Sequence, residues 1–562
     1  MDRRTFLSAK KKRTPTAINF SNLHVFGVNG GINQYTGPWG TEQVTHLLKR
    51  TMFGSRKSDI DYFKAKSMSQ AVDELLTTPS TAPSPPIKNY DNTGIDASDP
   101  DITIAYGQTW VNTNTNDGTA NSRRLSSFKS WWMNQILNQQ RNILEKLVLF
   151  WHNHFATETN DISRAIWAYQ NNVVLRQFAL ANFKQFVRAI TLDTGMLRYL
   201  NGYLNTGSAP DENYSRELQE LFTLGKENNP NYSEDDVKQV AKILTGWRIN
   251  GGGNNNFSYF DSSKHDSGNK TFSSFYNNKT IVGRTGATAG DLELNDLLDM
   301  IFSKQAELSR FIVKKIYRWF CYYKIDSATE ANVIEPLAEI FRSSNWEIKP
   351  VLSTLLKSEH FYDLLNQGCL IKNPIDLIAG MFREFNVVFP SPTDYTNAYN
   401  MWDYVRGQAA AQQMNLGDPP NVSGWAPYYQ EPQFYEIWIN SDTLPKRNRF
   451  TDQLITSGYT RNNQKLIIDP VAFARALPNP ADPNTLLNDS LAILYKVPVS
   501  DTSKLMIKKS ILLSGQDQDY YWSNAWNAYI ASPNDTMAYQ TVYQRLRELY
   551  KYLMDLPEYQ LA

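Results

Sequence analysis

Cysteine is almost missing from this chain. Only Cys321 and Cys369 occur in 562 residues, which leaves no disulfide framework and no cysteine-ligated zinc site. Histidine is scarce, at six. No apolar run approaches the roughly 18–20 residues that cross a bilayer. Neither charge is in excess: Lys+Arg is 57 and Asp+Glu is 56, a net of +1, so no strong field draws nucleic acid or an anionic membrane. There is no Gly-x-Ser-x-Gly elbow, no phosphate-binding Gly-Lys-Ser/Thr loop, no His-Glu-x-x-His helix and no Gly-x-Gly-x-x-Gly turn. These absences remove the most easily recognised hydrolase, nucleotidase and dehydrogenase classes.

Aromatic residues are abundant, at 13% with 14 Trp and 31 Tyr. That content suits a large core or a surface that stacks on sugars or peptides. Helical periodicity dominates and predicts helices near 41–53, 57–77, 124–156, 163–190, 211–224, 233–248, 305–322, 329–343, 374–386, 397–414 and 537–554. Ser233, followed by Glu234, Asp235 and Asp236, reads as an N-cap with acids in the first turn. The expected fold is mainly α: one large helical domain over 41–562, with loop inserts near 79–122 and 250–290 and one or two small β-hairpins. The proline- and asparagine-rich composition of the inserts reads as surface loop, and aromatic alternation at Phe257 to Phe260 supplies the hairpin signal.

Residues 1–40 read as a basic, flexible segment. Arg3-Arg4-Thr5-Phe6-Leu7 is similar to a twin-arginine export motif, but Lys10 to Arg13 stand where a leader needs an apolar stretch. The expected compartment is cytoplasmic on that ground, or periplasmic if the degenerate motif or a partner carries the chain out.

Two of the six histidines, His152 and His154, close an apolar run from Leu147 to Phe155. Leu144, Leu147, Val148, Trp151 and Phe155 form one helical stripe, with Glu145 and His152 at its edge. Both histidines are candidate metal ligands or acid–base groups. The competing account is a buried His–Glu pair with a histidine that caps the helix. Whether both rings reach one ion depends on where the helix stops. Glu217 and Glu220, three apart, suit a shared metal or a surface ion pair with Arg216. Asn213 sits at the start of that helix, where an anion could be met. His265-Asp266, with Lys270 close by, is an acid–base candidate or plain turn chemistry. The rigid loop from Pro419 ends on Trp425, a pocket wall or a structural lid.

Seven motifs occur in order: His46 to Arg50 with Phe53-Gly54; Glu145 through Phe155; Glu212 to Gly225; Leu244 to Trp247; His265-Asp266 with Lys270 to Phe272; Ser358 to Tyr362; and Pro419 to Trp425. With these, the chain resembles the bacterial family catalogued as domain of unknown function eighteen-hundred, from about residue 40 onward. The resemblance implies a mostly helical protein without an assigned substrate. It also implies genes that neighbour a phosphatase- or sulfatase-like family.

Two functional readings follow. One is a non-catalytic or accessory partner of that neighbour in envelope or glycan metabolism. The alternative is a metal-assisted hydrolase or lyase acting on a glycan or envelope substrate. It would use a divalent metal on His152, His154 and Glu217, with His265, Asp266 and Glu220 in catalysis. Glu145, Asn213, Arg216, Lys270 and Trp425 would complete one shared pocket. No nucleic-acid partner and no transmembrane segment are expected.

Overall fold

A computed structural model describes residues 30–226, 232–251 and 257–562. The flexibility expected of the N-terminal segment falls largely on 1–29, outside the described residues. The fold is mainly α-helical with small antiparallel hairpins, as the periodicity predicts. Among the described residues no helix is long and apolar enough to cross a membrane.

Several predicted helices are broken by caps that periodicity alone passes over. The 57–77 stretch becomes Lys57–Lys64 and Met68–Leu75, because the Ser67 hydroxyl accepts from Gln70 N and starts a new helix. The 163–190 stretch divides into Ala165–Phe178 and Phe183–Thr191, where the Asn182 side chain accepts from Lys184 N and Gln185 N. The 124–156 stretch is two helices, Gly118–Leu137 and Leu144–His154. Asp117 caps the first, and Asn142 Oδ1 accepts from Leu144 N at the start of the second. Ser233 caps Glu234–Ile243 as expected.

Two hairpins lie in or at the start of the 250–290 excursion, pairing Trp247–Asn250 with Phe257–Phe260 and Lys270–Thr271 with Thr280–Ile281. A third pairs Tyr459–Arg461 with Gln464–Leu466 across Asn462-Asn463, both at positive φ. That is the conformation a two-residue type I′ turn requires and Asn tolerates.

The 79–122 region is not simply a surface loop. Trp110 is fully buried and donates to Ser127 Oγ at 3.2 Å. Asp101 forms a buried pair with Arg124, at 2.8 Å from its Nε. Lys88 Nζ donates to the Asp101 and Ile104 carbonyls. The insert is irregular because a few buried polar anchors, rather than a periodic face, hold it to the Gly118–Leu137 helix.

The buried apolar side chains form a cluster running from Tyr35 to Tyr559. Three helices lie within it on nearly all sides. Thr41–Thr51 is buried from Val44 to its end, Leu144–His154 throughout, and Pro374–Glu384 at all but one residue. They carry charged residues inward, and a buried charge demands a partner. Lys49 pairs with Glu384, Lys146 with Asp376, Glu145 with Arg176, and Arg383 with Asp59. This inner layer of ion pairs is where the candidate site lies.

Candidate functional site

The residues singled out from sequence occupy several different surroundings. The Leu144–His154 helix continues to its second histidine, so the two rings leave it on different bearings. His152 lies edge-on between Trp132 and Trp425, at centroid distances of 5.1 and 5.8 Å. Its Nε2 is buried without a hydrogen bond. Burial pushes its pKa down to about 4, against the pull of Asp418. His154 Nε2 lies 3.1 Å from the Phe222 carbonyl, which can only accept, so Nε2 carries the proton. Burial, then Lys315, holds this ring neutral, and Trp151, Phe155 and Phe222 pack on it. Trp425 is buried. Its backbone N–H donates to Asn153 Oδ1 at 2.8 Å, which joins the motif ending at Trp425 to the histidine motif.

Glu217 closes the helix Asn213–Glu217, after which Leu218–Thr223 is π-helical. The wider π turn changes the bearing between Glu217 and Glu220 that an α-helical wheel assigns. Glu217 is half-buried, and burial followed by Glu220 raises its pKa. Glu220 pairs with Lys226. Arg216 does not neutralise Glu220; it bonds Glu234 through both terminal nitrogens and also Glu212. Asn213 is exposed, and its Nδ2 reaches the Leu200 carbonyl at 3.4 Å.

His265 and Asp266 are built into a different junction. His265 Nδ1 lies 2.9 Å from the Thr245 carbonyl, and its Nε2 lies 3.1 Å from Glu293 Oε1. Lys270 donates to Glu293 Oε2 at 2.7 Å, both side chains fully buried. Asp266 N donates to Thr245 Oγ1 at 2.8 Å. Burial works to raise the Glu293 pKa, yet hydrogen bonds from His265, Lys270 and the Arg284 N–H hold it below the usual range. This cluster ties the 250–290 excursion to the Ala289–Phe302 helix. Glu293 was not singled out from sequence, because nothing local marks it as a partner 28 residues from His265. Among the described residues, no group of three or more His, Cys, Asp and Glu is placed to hold a metal ion. The set His152, His154 and Glu217 is spread over separate contacts.

A cavity of about 40 Å³ does gather motif residues. Five cationic side chains line it, Lys49, Arg50, Lys146, Arg318 and Lys372, against one acidic side chain, Asp376; Ala562 also lines it, and its O accepts from Arg50 Nη2 at 2.9 Å. The Thr41–Thr51 helix brings Lys49 and Arg50 in its last turn, and Leu144–His154 brings Lys146. Pro374 opens the helix that carries Asp376, with Asn373 as its cap. The far wall is aromatic, with Trp319 stacked on Tyr428 at 4.4 Å and Tyr428 edge-on to Trp438.

Most of these cations are engaged. Lys49 meets Glu384, Lys146 meets Asp376, and Arg50 Nη2 donates to the Asn366 carbonyl at 3.0 Å. Lys372 is different. It is buried, its Nζ stands 4.0 Å from the Tyr559 ring centroid, and among the described residues no carboxylate pairs with it. Burial, then the neighbouring Lys49, brings its pKa down to about 7. Sequence reasoning missed Lys372. The available signal was weaker: Lys49, Arg50 and Lys146 all fall inside quoted motifs, on helices whose apolar faces already demand burial.

The model of a family described as "Protein of unknown function (DUF1800)" matches residues 46–561. Nothing among the curated proteins or the solved structures matches the chain.

Proposed function

The chain belongs to the DUF1800 family, and we propose that this member is a non-catalytic binding protein whose basic cavity takes an oxyanion, phosphate or sulfate. The observation that carries this is the Lys372 ammonium, buried beside Lys49 without a carboxylate of its own. A buried cation needs a counter-charge, and a small anion in the cavity supplies one. The volume of about 40 Å³ admits a single small oxyanion or the tip of a larger ligand. Such a ligand is chemically what a phosphatase- or sulfatase-like partner releases or attacks, so the protein would serve that partner in envelope or glycan metabolism as an accessory. A metal-assisted hydrolase is the weaker reading, since His152, His154 and Glu217 share no contact.

The test is a thermal melt and a calorimetric titration with inorganic phosphate and with sulfate, with chloride as the ionic-strength control. The native chain is expected to bind one of the two and to melt several degrees higher with it. Lys372→Met should remove both effects. Equal responses from native and variant protein would overturn the assignment.

A further inference from the structure

A second, larger cavity of about 420 Å³ lies on the other side of the Leu144–His154 helix start. That volume is in the range of small-molecule sites, roughly 300–1,000 Å³. Its chemistry is unlike that of the basic cavity. Six Asn and Gln residues line it, Asn134, Gln135, Asn138, Gln139, Gln140 and Asn142; Asn138 Nδ2 donates to Asn134 Oδ1 at 2.7 Å, and Asn142 Oδ1 accepts from Leu144 N. They come from the end of the Gly118–Leu137 helix and the segment joining it to the next. The proline-rich start of the 79–122 insert makes the opposite wall, held by a 2.7 Å hydrogen bond from Trp131 Nε1 to the Ser84 carbonyl. Tyr395, part-exposed, adds an aromatic ring.

The charges in this cleft cancel. Glu145 and Arg176 both line it and are joined through both terminal nitrogens of Arg176, one at 2.9 Å. The Arg176 guanidinium also lies 5.1 Å from the Trp131 ring. No net charge is left to attract an ion. Gln139 is only 8% exposed, yet neither its Nε2 nor its Oε1 has a hydrogen-bond partner. Both atoms are out of solvent's reach, so the amides open to the cleft are those of the more exposed Gln135, Asn138 and Gln140.

We infer that this cleft binds a neutral saccharide. An amide offers one acceptor and two donors, the match for a ring hydroxyl that both donates and accepts. An amide-rich wall with an aromatic ring and no net charge suits a polyhydroxylated ring better than a phosphate or a metal. The inference is independent of the basic cavity.

The experiment uses the full chain with neutral tetrasaccharides of glucose, N-acetylglucosamine and xylose, followed by calorimetry and tryptophan fluorescence. A neutral tetrapeptide serves as the competing ligand class. At least one tetrasaccharide is expected to bind, with an affinity that added salt leaves unchanged. Gln135→Ala with Asn138→Ala, at the more exposed positions, should weaken binding at least about tenfold, or about 1.4 kcal/mol, without affecting folding. The inference is overturned if no tetrasaccharide binds at about 10 mM, if only the peptide binds, or if the Gln135→Ala, Asn138→Ala variant binds like the native chain. Loss of phosphate binding in Lys372→Met would leave it standing.

Discussion

Glu145 and Lys146 are neighbours on one helix and line two different cavities. Successive residues of an α-helix point about 100° apart, so one turn buried on every side serves both. Each is held by a partner distant in sequence, Glu145 by Arg176 and Lys146 by Asp376. The first pair keeps its cleft neutral. The second engages Lys146, while among the described residues no carboxylate pairs with the buried Lys372 of the same cavity.

Breaking the Glu145–Arg176 pair from one side should be costly. Glu145→Gln leaves a guanidinium buried and uncompensated, for a loss of about 3–5 kcal/mol. The double change Glu145→Gln with Arg176→Met should recover much of that, because no unpaired charge remains. Urea unfolding of the two variants against the native chain measures the difference.

Oxyanion binding should depend on pH through Lys372. Its pKa near 7 in the empty cavity means that the ammonium is lost as pH rises through that value. Below pH 7 affinity should be level with respect to this group; above it, affinity should fall by about tenfold per unit until the pKa of the bound state is reached. The same group makes folding stability rise between pH 7 and 10.5, since the unfolded lysine still holds its proton there while the folded one has released it. Lys372→Met should flatten both profiles, read by calorimetry and by chemical unfolding at several pH values.

His152 acts at the acid end. Its folded pKa of about 4 lies below the ordinary 6.5. Between these values the unfolded chain binds a proton that the folded one refuses, so stability falls as pH drops from 6.5 towards 4. The full effect is about 3 kcal/mol. His152→Phe keeps a ring between Trp132 and Trp425 and should remove this part of the acid limb. An unchanged acid limb in the variant would show that the ring does not titrate as its burial implies.

Gly424 and Gly286 make a matched pair. Both have positive φ, 87° and 88°. A Cβ at Gly424 would stand 2.4 Å from the Asn153 carbonyl oxygen, whereas at Gly286 it meets nothing within 4 Å. Gly286→Ala should cost only the left-handed backbone, about 1–2 kcal/mol. Gly424→Ala should cost distinctly more, because it separates the Trp425 loop from the histidine helix. Parallel thermal melts compare the two.

Much of the architecture was legible from sequence because it rests on local rules. Periodicity marked the buried faces, Ser233 announced its helix, and aromatic alternation marked the hairpin at 257–260. The caps at Ser67 and Asn182 were equally local, but apolar spacing on both sides masked them. The Asn462-Asn463 turn carried a signal that was not read. Motif order alone identified the family, and the motifs did mark residues that meet: Trp425 with Asn153, and Thr245 with His265 and Asp266.

What each motif residue does was decided by the tertiary structure. The sequence presents Lys49 as a charge at a helix end, and only packing sets Glu384 beside it, 335 positions away. It presents Glu145, Lys146, His152 and His154 as one group, and packing sends them to Arg176, Asp376, two tryptophans and a backbone carbonyl. Nothing near Lys372 or Gln139 in the chain marks either as unpaired. Helical periodicity comes from interactions a few residues apart, which the sequence determines by itself. The partner of a buried charge depends on which distant helix packs against it, and that is settled only when the core closes.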